Sequence, residues 1–176
     1  MQQISPNLLK LYNFLFLFLL FLLSKLVNHP PNFTPLIAFI MISAFLVRSK
    51  IQLILIILSA MLISDIVIGL YNGISITYIG FCIIALTVKT IFKKITYSNL
   101  ILISLYSSFI FFLITSPLHL IFDTSTKINI SSVIQTYADG FVFFFNTLSS
   151  TIIFGYLLYF ITNKFVLKQT SFNSKI

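Results

Sequence analysis

Residues 51–70 read IQLILIILSAMLISDIVIGL, twenty positions with a single ionisable side chain, Asp65. About 20 predominantly apolar residues is what a helix needs to cross the hydrocarbon core of a bilayer. Five more apolar runs flank this one, giving six in all: Leu8–Val27, Phe33–Val47, Ile51–Leu70, Ile74–Phe92, Leu100–Phe122 and Phe141–Asn163. The whole chain is 59% hydrophobic and 8% charged, with mean hydropathy +1.07. Soluble domains carry about 25% charged residues, so a water-soluble core does not account for this composition. The expectation is an all-α integral membrane protein, a six-transmembrane-helix bundle in a single membrane domain spanning residues 1–176.

The runs are separated by turn punctuation: His29-Pro30-Pro31-Asn32, Arg48-Ser49-Lys50, Asn72-Gly73, Lys93-Lys94, and a polar stretch from Asp123 to Gly140. The second run is short, which predicts an irregular or re-entrant start at the Pro-rich turn. There is no internal repeat. The first run is followed by Ser24-Lys25-Leu26-Val27-Asn28 rather than a small-x-small cleavage site, so it reads as an uncleaved helix.

Charge orients the chain. The even-numbered turns and the two ends hold Lys10, Arg48, Lys50, Lys89, Lys93, Lys94, Lys164, Lys168 and Lys175; the odd-numbered turns hold only Lys25 and Lys127. By the positive-inside rule both termini are expected in the cytoplasm, in a multi-pass protein of the bacterial cytoplasmic (inner) membrane. The +8 net charge does not imply nucleic acid, because the cations come in ones and twos between apolar runs and form no stripe. The three acids (Asp65, Asp123, Asp139) and both histidines (His29, His119) fall in or beside the turns that face outward.

Those outward residues are the candidates for chemistry. Asp65 follows Ser64 inside an apolar run, where a carboxylate is costly unless something holds it. A ligand contact is one reading; a helix-end carboxylate satisfied by hydroxyls, Lys25 or water is the other. His29 heads a segment stiffened by Pro30, Pro31 and Pro35, and is either a ligand contact or a solvated corner residue. His119 is read as the latter. Ser132-Val133-Ile134-Gln135 has capping-box spacing, predicting a short interfacial helix that ends before Gly140 and lies over the outer mouth as a lid. The alternative is a surface loop anchored by Tyr137. Asn146 calls for an interhelical hydrogen bond or a ligand. Cys82, the sole cysteine, excludes an intramolecular disulfide; it reads mainly as a small apolar filler.

The chain has no phosphate-binding Gly-rich loop, HExxH, GxSxG or Cys/His cluster of zinc spacing. It is therefore expected not to be an enzyme and to need no cofactor of its own. Asn32-Phe33-Thr34 and Asn129-Ile130-Ser131 match the glycosylation sequon, a pattern of low specificity.

Four stretches carry a resemblance: His-Pro-Pro-Asn-Phe-Thr-Pro at 29–35, Ser64-Asp65 with Ile68-Gly69, Phe111-Phe112-Leu113-Ile114-Thr115, and Phe144-Phe145-Asn146-Thr147-Leu148. Together they resemble an uncharacterised family of bacterial six-helix membrane proteins. That family is similar to the substrate-binding S components of energy-coupling-factor (ECF) vitamin transporters, including solitary cobalamin importers. The resemblance implies a substrate pocket near the outer face with His29, Asn32, Asp65 and Asn146 beside it. It makes Cys82 and His29 cobalt-ligand candidates. Two departures stand out: Phe145 occupies a place where the family often has Arg, and Phe14–Leu23 lacks the small residues through which S components dock.

The functional expectation is membrane transport. A small polar micronutrient, such as the vitamin cobalamin, would be bound from the outer side by Asp65, His29, Asn32, Asn146 and Tyr137. An external energy-coupling module is an expected partner beside the lipid bilayer. The alternative is a structural or accessory subunit of a membrane complex with no substrate of its own.

Overall fold

The computed structural model describes residue 19, residues 30–117, residue 120 and residues 128–164. The first apolar run (Leu19 apart), His29, His119 and Asp123 lie outside the described residues. Within them the protein is all-helical, with five helices and no strand: α1 Leu36–Leu46, α2 Lys50–Ile68, α3 Ile74–Ile91, α4 Leu100–Thr115 and α5 Ile130–Thr162. Three of these, α2, α3 and α5, are long and apolar enough to cross a membrane.

Residues 30–35 are irregular, as the clustered prolines predict. Pro35 then opens α1, its carbonyl accepting from the Phe39 amide at 2.9 Å. At 11 residues α1 rises about 16 Å, well short of the ~30 Å hydrocarbon core. Ile37 through Ala44 are all buried, as expected for a helix that is apolar on every side. It lies at the centre, packed against α5 and α3 and touching α4 and α2. Its C-terminal end has no basic residue of its own. Lys89 of α3 supplies one, its Nζ donating to the Ala44 carbonyl at 3.0 Å and to the Val47 carbonyl.

Ser49 caps α2, its Oγ accepting from the Gln52 amide, and Gly69 at φ 119° ends the helix. Gly73 sits at φ 88° before α3, in the left-handed region a side chain would strain. The tight turn between them folds α2 back on α3. Both helices bury about a third of their length and leave residues such as Ile51, Leu55, Ile66 and Val67 exposed, the pattern of helices whose outer faces meet lipid.

α5 begins at Ile130, not at Phe141, and runs unbroken for 33 residues. The expected separate lid helix ending before Gly140 is therefore corrected: that stretch is the first three turns of α5, and Gly140 lies within the helix. The capping box is closed by Asn129 and Ser132, not by Ser132 and Gln135. Gly140 stays helical because α4 ends against it; a Cβ there would stand 2.9 Å from Ser116 Oγ. At Gly155 a Cβ would stand 3.0 Å from Met41 Cε and 3.1 Å from Leu100 Cδ2, so this glycine sets how closely α5 meets α1 and α4.

This helix order puts 47–49, 92–99 and 163–164 at one end of the bundle and 30–35, 69–73, 116–117 and 128–129 at the other. Arg48, Lys50, Lys89, Lys93, Lys94 and Lys164 gather toward the first end. Both described acids, Asp65 and Asp139, stand toward the second.

Candidate functional site

A cavity of about 1060 Å³ opens at the end away from the lysines, at the upper limit of the ~300–1,000 Å³ typical of small-molecule sites. One wall comes from the start of α1 and the loop before it (Asn32, Thr34, Leu36, Ile37). A second comes from the α2–α3 turn (Asp65, Gly69, Tyr71, Asn72, Thr77). The end of α4 supplies Phe111, Phe112, Thr115 and Ser116, and the first half of α5 supplies Gln135, Thr136, Asp139, Phe143, Phe144 and Thr147. Phe81 and Phe111 stack at its deep end, centroids 5.0 Å apart and planes within 7°. Phe112 and Phe144 follow at 5.3 Å, continuing the aromatic surface. The site thus joins an aromatic lining to a rim of carboxylates, amides and hydroxyls, a combination that holds a molecule with an apolar body and polar edges.

Asp65 is the buried charge of this site, only 3% exposed. It lies in the last turn of α2, where the helix dipole disfavours an anion. Tyr78 of α3 compensates: its Oη donates to Asp65 Oδ2 at 2.7 Å. Tyr71, in the turn itself, is held above its usual pKa, first by burial and then by the charge of Asp65, with a hydrogen bond from Thr77 opposing. Asp139, on the opposite wall, accepts from Gln135 Nε2 at 2.8 Å, an i,i+4 pair.

Of the residues singled out from sequence, Asp65 and Asn32 line the cavity. Asn32 does so from a left-handed backbone, φ 61°, a conformation Asn tolerates better than most residues. Asn146 stands behind the lining: its Nδ2 donates to the Pro31 carbonyl at 3.1 Å, fastening the Pro-rich loop to α5. Tyr137 turns toward α4, donating to the Leu113 carbonyl at 2.9 Å and meeting the Phe112 ring edge-on at 5.5 Å. Cys82 is half-buried on α3 and does not line the cavity. No group of three His, Cys, Asp or Glu suited to a metal occurs among the described residues. His29, the other cobalt-ligand candidate, lies outside them.

The sequence reading grouped Asp139 only with the outward-facing residues, and its residue lines the cavity. It also passed over Tyr71, Tyr78 and Gln135. Tyr78 left a signal: it and Asp65 lie about equally far on either side of the turn at Tyr71-Asn72, so an antiparallel hairpin must bring them level.

The chain belongs to a family of unknown function (DUF6580), whose profile matches residues 6–172. No curated protein and no solved structure matches it.

Proposed function

We propose that this member of the family is a transporter or capture protein that binds a small polar micronutrient in the Asp65 cavity and moves it across the membrane. The observation that carries the reading is the cavity itself: vitamin-sized, aromatic at depth, with a buried carboxylate on one wall. In this reading the chain makes six crossings, the first being residues 8–27. Both ends lie in the cytoplasm, and the cavity opens to the outer side of the bacterial inner membrane.

Asp65 is the main polar contact, with Tyr78 holding its carboxylate in place, and Asn32 lies beside it. His29 and the Asn146-fastened loop complete the mouth; the start of α5 is a wall of the cavity in place of a separate lid. The resemblance to S components supports a vitamin, cobalamin included. It also supports an external energy-coupling module, since the sequence holds no nucleotide-binding motif. Rearrangement of helices around a fixed site would carry the substrate across.

The test is thermal unfolding of the purified protein against a panel of vitamins and their metal complexes. A true ligand stabilises by RT ln(1 + [L]/Kd), about 2.7 kcal/mol at a hundredfold excess over Kd. Asp65→Asn should weaken that response while the protein still folds. If no compound shifts the transition, the transport reading fails and the accessory-subunit reading takes its place.

A further inference from the structure

The opposite end of the bundle holds a second, smaller cavity of about 240 Å³. Lys93 and Lys94 stand on one side of it, Tyr159 and Thr162 of α5 on another, and Phe45 and Leu46 of α1 form an apolar flank. At ~30 Å³ per water it has room for about eight waters, which suits a polyatomic ion rather than a monatomic one.

The loop that carries the two lysines is fixed through its carbonyls. The Lys94 carbonyl accepts from Asn99 Nδ2 at 2.9 Å and the Ile95 carbonyl from Tyr159 Oη at 3.3 Å. The Thr96 carbonyl accepts from the Leu100 amide at 3.1 Å, and the Tyr97 carbonyl from Tyr156 Oη at 3.0 Å. Asn99 Oδ1 also takes the Thr96 amide at 2.7 Å, and the Tyr97 ring packs edge-on against Tyr159 at 4.7 Å. Four consecutive carbonyls therefore each accept from a protein donor, which ties the loop to α4 and α5.

Among the described residues, no carboxylate neutralises the lysines. The sequence has three acids, and the two described ones stand at the far end of the bundle. Lys89, the next cation, is already engaged with the carbonyls at the end of α1. Two cations on a loop tied down through its carbonyls, beside an apolar flank at a helix end, fit a phosphate ester with an attached hydrocarbon chain.

We infer that the Lys93–Lys94 cavity binds a phosphate-bearing anion, supplied by the headgroup of an anionic phospholipid. This site is independent of the Asp65 cavity and of the transport reading. Anionic headgroups attract basic residues near the surface at about 1 kcal/mol each, so removing both lysines should weaken binding about thirty-fold.

The test uses the full chain in nanodiscs of phosphatidylcholine, with or without phosphatidylglycerol, reading Tm and lipid retained by native mass spectrometry. Phosphatidylglycerol should raise Tm. Lys93→Gln/Lys94→Gln should abolish the rise, Lys93→Arg/Lys94→Arg should keep it, and Arg48→Gln/Lys50→Gln should keep it. The last variant removes the same charge at the same end without touching the cavity. Inorganic phosphate and glycerol 3-phosphate are added to the phosphatidylcholine discs in parallel. A rise there that depends on Lys93 and Lys94 keeps the phosphate site but makes its source soluble. Equal loss in the two Gln variants, or a rise that survives Lys93→Gln/Lys94→Gln, overturns the site in favour of general surface attraction. No rise with any phosphate compound overturns it outright.

Discussion

Tyr78 Oη donates to Asp65 Oδ2 at 2.7 Å across the α2–α3 turn, and this bond helps hold a carboxylate in the last turn of an apolar helix. Tyr78→Phe removes the donor, and a hydrogen bond to a charged group is worth about 1.5–3 kcal/mol. Asp65→Asn keeps an acceptor for Tyr78 and should cost less. Unfolding of the two variants in detergent should rank them in that order. An equal loss for both would mean the hydroxyl does not hold the carboxylate.

Asn146 fastens the Pro-rich loop through the Pro31 carbonyl. Asn146→Ala should cost only about 0.5–1.5 kcal/mol of global stability. Its local effect should fall on residues 30–35, where the Phe33 N–H bonds the Pro30 carbonyl at 3.0 Å. Hydrogen exchange at the Asn32 and Phe33 amides should speed up in the variant while α3 and α4 keep their protection. Unchanged exchange at those two amides would contradict the fastening.

Lys89 acts as the C-terminal cap that α1 lacks. A charged donor on two helix-end carbonyls is worth about 1.5–3 kcal/mol, so Lys89→Met should lower stability by roughly that amount. Lys89→Arg should recover much of it. Thermal unfolding of the pair decides, since loss of side-chain volume alone would not separate Met from Arg in this direction.

Ser107 and Ser108 are fully buried on α4, and their hydroxyls have no hydrogen-bond partner among the described residues. Other buried hydroxyls satisfy themselves within their helix, as Thr151 does on the Thr147 carbonyl at 2.7 Å. An unmet buried hydroxyl costs about 1–3 kcal/mol, so Ser107→Ala and Ser108→Ala should each leave the protein as stable or more stable. A clear loss of stability in either would show that the hydroxyl is bonded, through a buried water for example.

Hydropathy and turn residues carried much of the fold. Asn72-Gly73 and Arg48-Ser49-Lys50 marked their turns because a left-handed glycine and a serine cap are local requirements, visible without tertiary contacts. The start of α5 was hidden for the converse reason. Ser131, Ser132, Gln135 and Asp139 dilute its hydropathy, and Gly140 looks like a stop until α4 is seen ending against it. The site divides in the same way. Asp65 announced itself as a charge in an apolar run, but its donor Tyr78 is one of eight tyrosines and is picked out only by the hairpin that brings it opposite. Asp139 fell in a stretch read as a short helix of its own, so its place in the cavity lining followed only from the continuous α5.

An unbroken α5 also makes mechanical leverage available. The helix is about 50 Å long and packs closely on α1 and the start of α4 at Gly155, far from its middle. Sixteen residues separate that fulcrum from Asp139 at the large cavity, and only four separate it from Tyr159 at the small one. A tilt of about 5° at Gly155 would swing the Asp139 wall by roughly 2 Å while shifting Tyr159 by about half an ångström. A small displacement at the lysine end would thus be magnified about fourfold where a ligand would sit.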